Sequence, residues 1–246
     1  QRSHFHVSKD PLNALKEFLA RFNPVVLPDL PGSLTLPRFF GGAVGYLGYD
    51  MVRACERLPQ TAVDEQKLFD ACFLITDTVI IFDNFRQVII VVANVFIDPE
   101  KSKKALYEEG LHKIERLIKK LQKPLPLQAL TASRPEEPST SGTKLKAAHT
   151  EEEYCALVDR AKRFIEAGDI FQVVISTRFE GKTAVSPFEL YRAIRRMNPS
   201  PYLYFLQCED LILVGASPEV MVRLEDKKVE LRPIAGTRLR GGNLPE

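Results

Sequence analysis

Residues Leu68–Ile97, LFDACFLITDTVIIFDNFRQVIIVVANVFI, decide the fold class. They read as two long β-prone stretches, Leu68–Phe82 and Phe85–Ile97, joined by a tight hairpin turn at Asp83-Asn84. The apolar runs Val79 to Phe82 and Val88 to Ala93 lie inside them and are strand-length. From Pro99 to about Gln122 the pattern changes to a charged amphipathic helix, with Leu106, Ile114, Leu117, Ile118 and Leu121 on its inner face. A hairpin answered by a helix on one face is an α+β arrangement, not a doubly wound sheet.

Toward the N-terminus, Arg38–Asp50 (RFFGGAVGYLGYD) is aromatic and glycine-rich. It is preceded by a loop, residues 23–37, with four prolines and a glycine. Before that, Asp10 and Pro11 suit the N-cap and first position of a helix that places Leu12, Leu15, Leu19 and Phe22 on one face. Toward the C-terminus, residues 123–149 carry four prolines, several Ser and Thr, and little apolar periodicity. This is a Pro/Ser-rich linker between domains or a long surface loop within one. The expected division is therefore an N-terminal region, 1–122, that linker, and a further domain over 150–246.

Thr150 and Glu153 form a capping box for a helix burying Tyr154, Leu157, Val158, Ala161, Phe164 and Ile165, which Gly168 ends in left-handed geometry. A strand is expected over Ile170–Phe179. Ser186 and Glu189 repeat the capping pattern for a helix through Met197. A meander then follows at Tyr202–Gln207, Leu211–Gly215, Val220–Leu224 and Val229–Arg232.

Composition narrows the function. The 246 residues carry 34 Lys plus Arg against 32 Asp plus Glu, a formal net charge of +2, with 45% hydrophobic and 27% charged residues. Such a balance is that of an ordinary globular protein and argues against a nucleic-acid partner, which calls for a basic stripe. No run approaches the roughly 18 apolar residues of a membrane span. Cys55, Cys72, Cys155 and Cys208 are widely spaced, without a C-x-x-C pair; they are expected as reduced thiols in an intracellular protein rather than as two disulfides. His4 and His6 form an H-x-H that reads as an exposed strand end rather than a metal site, and no structural metal is expected.

Three familiar motifs fail. Gly42, Gly45 and Gly48 are spaced G-x-x-G-x-x-G, which is not the dinucleotide fingerprint. Gly181-Lys182-Thr183 mimics the end of a phosphate-binding loop, but Ser176 stands where the earlier glycine is needed. Gly215-Ala216-Ser217-Pro218-Glu219 has proline after the serine, where a nucleophile elbow needs any residue and then glycine.

Four segments remain. Gly168–Val174 (GDIFQVV) sets polar Gln172 inside an apolar run, where it must find hydrogen-bond partners or face a cleft. Asn198–Tyr202 (NPSPY) is a proline-fixed entry to a strand. Gly215–Glu219 (GASPE) closes a strand with small residues and one carboxylate. Arg232–Gly242 (RPIAGTRLRGG) combines small residues, the Thr237 hydroxyl and the arginines Arg232, Arg238 and Arg240, a chemistry suited to a small carboxylate ligand or to a basic surface turn.

Taken in order with FFGGAVGYLGYD, the strings GDIFQVV, NPSPY, GASPE and RPIAGTR resemble component I of anthranilate synthase, a chorismate-utilising enzyme family. The resemblance covers nearly the whole chain and is weakest in the linker. It implies a layered α/β/α fold built on large antiparallel sheets, incomplete here, with 150–246 as the first part of the chorismate-binding catalytic domain. It also implies conversion of chorismate and ammonia to anthranilate and pyruvate with Mg²⁺, the ammonia coming from a glutamine amidotransferase partner, component II, in the cytoplasm or, for a plant protein, in a plastid.

Two positions separate branches of that family. Relatives that add water to chorismate carry Lys where this chain has Gln172, and an amide cannot act as their base. Aminodeoxychorismate synthases carry a nucleophilic Lys where this chain has Ala235. The resemblance makes Gly236 and Thr237 substrate contacts, and Pro201, Tyr202 and Leu203 part of a tryptophan feedback site. Leu203 replaces the commoner Met, a change similar in volume. The other half of that site, an N-terminal motif of L-E-S type, is missing from the sequence, as are the Glu ligands of Mg²⁺ and the catalytic His, which the family places beyond Glu246. Because the chain starts at Gln1 and ends in what reads as an interrupted helix, it is expected to be truncated at both ends and inactive by itself.

Overall fold

The computed structural model describes residues 11–25, 36–125 and 144–233. They form two compact units, one of Gln1–Pro124 with Phe205–Leu213, the other of Leu125–Tyr204 with Val214–Glu246. The elements are short helices and antiparallel strand pairs, an α+β fold.

In the first unit, helix α1 spans Pro11–Leu19; Asp10, its expected cap, lies outside the described residues. The glycine-rich segment forms strand β1, Gly42–Leu47, antiparallel to β2, Ala71–Thr76. Gly45 stands opposite Phe73 in that register, and a Cβ there would run into the Cys72 carbonyl. Close backbone approach is what this glycine supplies. A 3-10 turn, Tyr49–Ala54, follows β1.

The stretch expected as one strand over Leu68–Phe82 divides at Asp77. β2 pairs with β1, whereas β3, Thr78–Asp83, pairs with β4, Val88–Ala93. The cause is polar: the Asp77 carbonyl accepts the Asn94 N–H at 2.6 Å, and its carboxylate meets Lys113 Nζ at 2.8 Å and Thr78 Oγ1 at 2.9 Å. The hairpin loop is likewise longer than Asp83-Asn84. The Asp83 carboxylate accepts the N–H groups of Phe85 and Arg86 at 3.0 and 2.9 Å, and Gln87 takes φ 56° before β4 begins.

Helix α2, Lys103–Leu121, starts at Ser102, whose hydroxyl accepts the Ala105 N–H. It packs on β4. Leu106 and Gly110 are its buried residues, and a Cβ at Gly110 would come within 2.9 Å of Val95 Cγ2. A helix-interior glycine costs up to about 1 kcal/mol against alanine; here it lets the helix settle onto the sheet.

In the second unit, β5 (Lys146–Ala147) pairs with β6 (Phe179–Glu180). Helix α3, Glu151–Glu166, has the full Thr150–Glu153 capping box, and Gly168 takes φ 80° beyond its end. Helix α4, Pro187–Met197, has the Ser186–Glu189 box. The meander then appears as β7 (Tyr202–Cys208) paired with β8 (Leu211–Ser217), a hairpin whose tip, Phe205–Leu213, is counted with the first unit, and β9 (Arg223–Glu225) paired with β10 (Lys228–Glu230).

Ile170–Phe179, expected as a strand, is one only at its end, where Phe179 belongs to β6. Its later residues follow the segment entering α3: Ala148 N–H donates to the Arg178 carbonyl at 2.8 Å, and Tyr154 Oη to the Ile175 carbonyl at 3.2 Å. The earlier residues have no strand beside them among the described residues, and Phe171 is 93% exposed. β-propensity without a neighbouring strand yields no ladder. The large antiparallel sheets of the resemblance are represented by five two-stranded pairs among the described residues.

Candidate functional site

The base of the β7–β8 hairpin brings separate sequence motifs together. Asn198 caps α4, and Pro199-Ser200-Pro201 turns the chain into β7. Ser200 Oγ donates to the carbonyl of Ser217 at the end of β8, tying NPSPY to GASPE. Gly215 is the small residue that permits this closeness: a Cβ there would strike the Tyr204 ring.

From Ser217 the chain turns sharply, with Ser217 Oγ donating to the Glu219 carbonyl at 3.0 Å. The Glu219 side chain is half-buried, and its Oε1 is screened from water without a hydrogen-bond partner among the described residues. A buried carboxylate oxygen left without a donor is costly. It is therefore an acceptor offered to something that can donate, an O–H or N–H of a ligand. The sequence contains this carboxylate within GASPE; its one legible signal was a lone acid among small residues at a strand end.

Arginines border the same region. Arg223 Nη2 donates to Tyr202 Oη at 3.4 Å and Arg223 Nη1 meets Glu230 Oε2 at 3.2 Å. Arg232 Nε and Nη2 hold Glu230 Oε1 at 2.7 and 2.6 Å. Arg232, beside them, lowers the Glu230 carboxyl below its ordinary range, chiefly through its hydrogen bond. Arg232 is raised above its ordinary value, first by that bond and more weakly by the Tyr202 and Glu219 charges. So Arg232, expected as a ligand-facing cation, has Glu230 as its main partner.

Of the other expected residues, Pro201 is exposed and Tyr202 and Leu203 are half-buried at the start of β7. Gln172 is exposed on the irregular segment after α3 rather than within a strand. Ala235, Gly236 and Thr237, with Arg238 and Arg240, lie outside the described residues. NPSPY, GASPE and Arg232, the first residue of RPIAGTR, thus meet at one place.

A family model described as chorismate binding enzyme matches residues 1–246. The chain belongs to the chorismate-binding enzyme family. Curated relatives in that family include anthranilate synthase component 1 of Pseudomonas aeruginosa, 41% identical over 239 residues that make up 95% of this chain and 46% of the relative. Another is the chloroplastic anthranilate synthase alpha subunit 2 of Arabidopsis thaliana, 38% identical over 94% of this chain and 37% of the relative. The crystal structure of anthranilate synthase component I from Streptococcus pneumoniae superposes with a TM-score of 0.71 at 30% identity, covering 91% of this chain and 47% of that one. The chain thus spans about half the length of the chorismate-binding enzymes it matches.

Among the described residues, no group of three His, Cys, Asp or Glu side chains could hold a metal ion. Those residues do not fit the Mg²⁺ expected for a chorismate-binding enzyme. Nor is any helix among them long and apolar enough to cross a membrane.

Proposed function

We propose that the whole protein is anthranilate synthase component I, turning chorismate and ammonia into anthranilate, pyruvate and water as the first step of tryptophan biosynthesis. The observation that carries this reading is the pair Gln172 and Ala235 in a chain of this family. A neutral amide does not deprotonate water, and a methyl group cannot attack a ring carbon. With neither a base for water nor a covalent nucleophile at these positions, ammonia is left to add directly.

The base of the β7–β8 hairpin contributes binding. The unpartnered Glu219 oxygen accepts from a hydroxyl or ammonia-derived group, and Gly236 and Thr237 contact the substrate. Pro201, Tyr202 and Leu203 form half of a tryptophan feedback site. Ammonia comes from a glutamine amidotransferase, component II. Mg²⁺ belongs to the proposal for the whole protein, and no step of it involves the described residues. The compartment proposed is the cytoplasm, or a plastid for a plant source.

The test supplies the full-length protein with chorismate, Mg²⁺ and ammonium, follows anthranilate fluorescence, and identifies products by chromatography. Anthranilate is expected as the main product. Aminodeoxychorismate or isochorismate in its place would overturn the assignment. Gln172→Lys in the same assay is expected to cut anthranilate formation by at least about tenfold, the loss associated with roughly 1.4 kcal/mol of transition-state stabilisation.

A further inference from the structure

We infer that Glu230 is a positioning residue for substrate binding: bridging Arg223 and Arg232, it fixes the strand exit from which RPIAGTR runs. The inference rests on the reading of Gly236 and Thr237 as substrate contacts.

The geometry begins in a tight turn. Asp226 and Lys227 take φ 47° and 63°, the pair of left-handed residues that a two-residue hairpin turn of type I′ requires. So short a loop fixes the register, and it sets Arg223 of β9 directly opposite Glu230 of β10. Opposite charges so placed attract across the strands, and Arg223 Nη1 donates to Glu230 Oε2 at 3.2 Å. Arg232 stands two positions beyond Glu230, where an extended chain returns a side chain to the same face. Its Nε donates to the other carboxylate oxygen, Oε1, at 2.7 Å, and its Nη2 lies 2.6 Å from the same atom. The far side of Arg223 is held as well, Nη2 donating to Tyr202 Oη at 3.4 Å. One carboxylate thus joins β9 to the residue that opens RPIAGTR, and through Arg223 to NPSPY at the start of β7. All four residues belong to the second compact unit.

An isolated exposed ion pair holds little in place. Glu230 differs, because three guanidinium nitrogens occupy both of its oxygens in charge-assisted contacts. The side chains of Arg223, Glu230 and Arg232 are 28, 41 and 57% exposed, so solvent weakens the bridge without dissolving it. Its effect is on preorganisation. With the base of the segment anchored, less freedom is lost when a ligand binds. Released, the segment binds only from its anchored fraction, and apparent affinity falls by that fraction. The contacts in the bound complex stay the same, so turnover is untouched.

The test compares the unmutated full-length protein with Glu230→Gln, Arg232→Gln and the double variant. Chorismate binding is measured by calorimetry with Mg²⁺ and without ammonia; kcat and KM follow from anthranilate fluorescence once ammonium is added. Glu230→Gln is expected to weaken chorismate binding about threefold to fivefold and to raise KM alike, with kcat unchanged. Arg232→Gln should do the same. The double variant should be no worse than Arg232→Gln alone, because Glu230 acts through that arginine. Three outcomes would overturn the proposal. Unchanged binding in Glu230→Gln shows that the bridge positions nothing. Tighter binding shows Glu230 competing with substrate for Arg232. Multiplied losses in the double variant show two independent roles. The expected binding pattern with a product other than anthranilate would instead fault the synthase reading and leave this one standing. No chorismate binding by the unmutated protein would overturn both.

Discussion

At the scale of single residues, closeness is bought by missing atoms. Gly45 lets β1 lie against the Cys72 carbonyl, and Gly215 lets the Tyr204 ring cross β8. Gly215→Ala places a methyl group inside that ring's volume. The ring must move, and with it the joint between Ser200 and Ser217. A destabilisation of about 1–3 kcal/mol is expected, the usual cost of overpacking, read as a lower urea midpoint at unchanged slope. An unchanged midpoint would mean that Tyr204, 49% exposed, swings out freely. Glu219 shows the limit of sequence reading at this scale. Its residue type and position are plain in GASPE, but the absence of a partner for Oε1 among the described residues depends on how the chain folds back after Ser217.

Among the elements, the caps carry the most local information. Thr150 and Ser186 each accept the N–H of the glutamate three residues on, and each glutamate answers with its carboxylate. Thr150→Ala removes one half of the α3 box and should cost about 1 kcal/mol, measurable as a fall in Tm. The three-residue spacing is local, so these boxes are legible in the sequence alone. The course of Ile170–Phe179 is not: its β-branched residues signal a preference, but a ladder needs a neighbour that local sequence does not name. The break at Asp77 has the same origin, since Lys113 and Asn94, which hold it, lie 36 and 17 positions away.

The Asp77–Lys113 pair also joins elements, fastening α2 beside the β3–β4 hairpin. Its hydrogen bond to Lys113, foremost, lowers the Asp77 carboxyl, and the same bond raises Lys113. A lowered carboxyl contributes stability above its unfolded value of about 3.8 and loses it as pH falls through the lower folded value. A raised lysine contributes below its unfolded value of about 10.5 and loses it as pH climbs through the higher folded value. The pair therefore acts between those limits. With the Asp77 side chain 38% exposed, solvent screening holds its worth to about 1 kcal/mol or less. Asp77→Asn should lower stability at neutral pH, and the difference from the unmutated protein should vanish in acid below the carboxylate range. A constant difference across pH would show that packing, not charge, is lost.

For the molecule as a whole, burial is the informative quantity. Among the described residues only Leu106 and Cys208 are buried apolar side chains, while Phe85, Phe171, Met197, Met221 and Val174 are 97, 93, 85, 86 and 83% exposed. Apolar surface of this extent calls for a covering partner. The 246-residue chain alone is expected to bind the dye ANS strongly, and the full-length protein weakly, as fluorescence titration would show. Strong binding by both would place the covering surface on another molecule.

The sequence by itself determined what is local: helix caps, turn glycines, the α+β alternation, and the motif strings whose order marks the family. These depend on residues three or four apart, or on succession along the chain. The tertiary structure alone decided which distant groups meet. It set Ser200 against Ser217, left Glu219 Oε1 without a donor among the described residues, and occupied Arg232 with Glu230. The reason is physical: hydrogen bonds and ion pairs act over a few ångströms, and only folding converts separations of tens of residues into such distances.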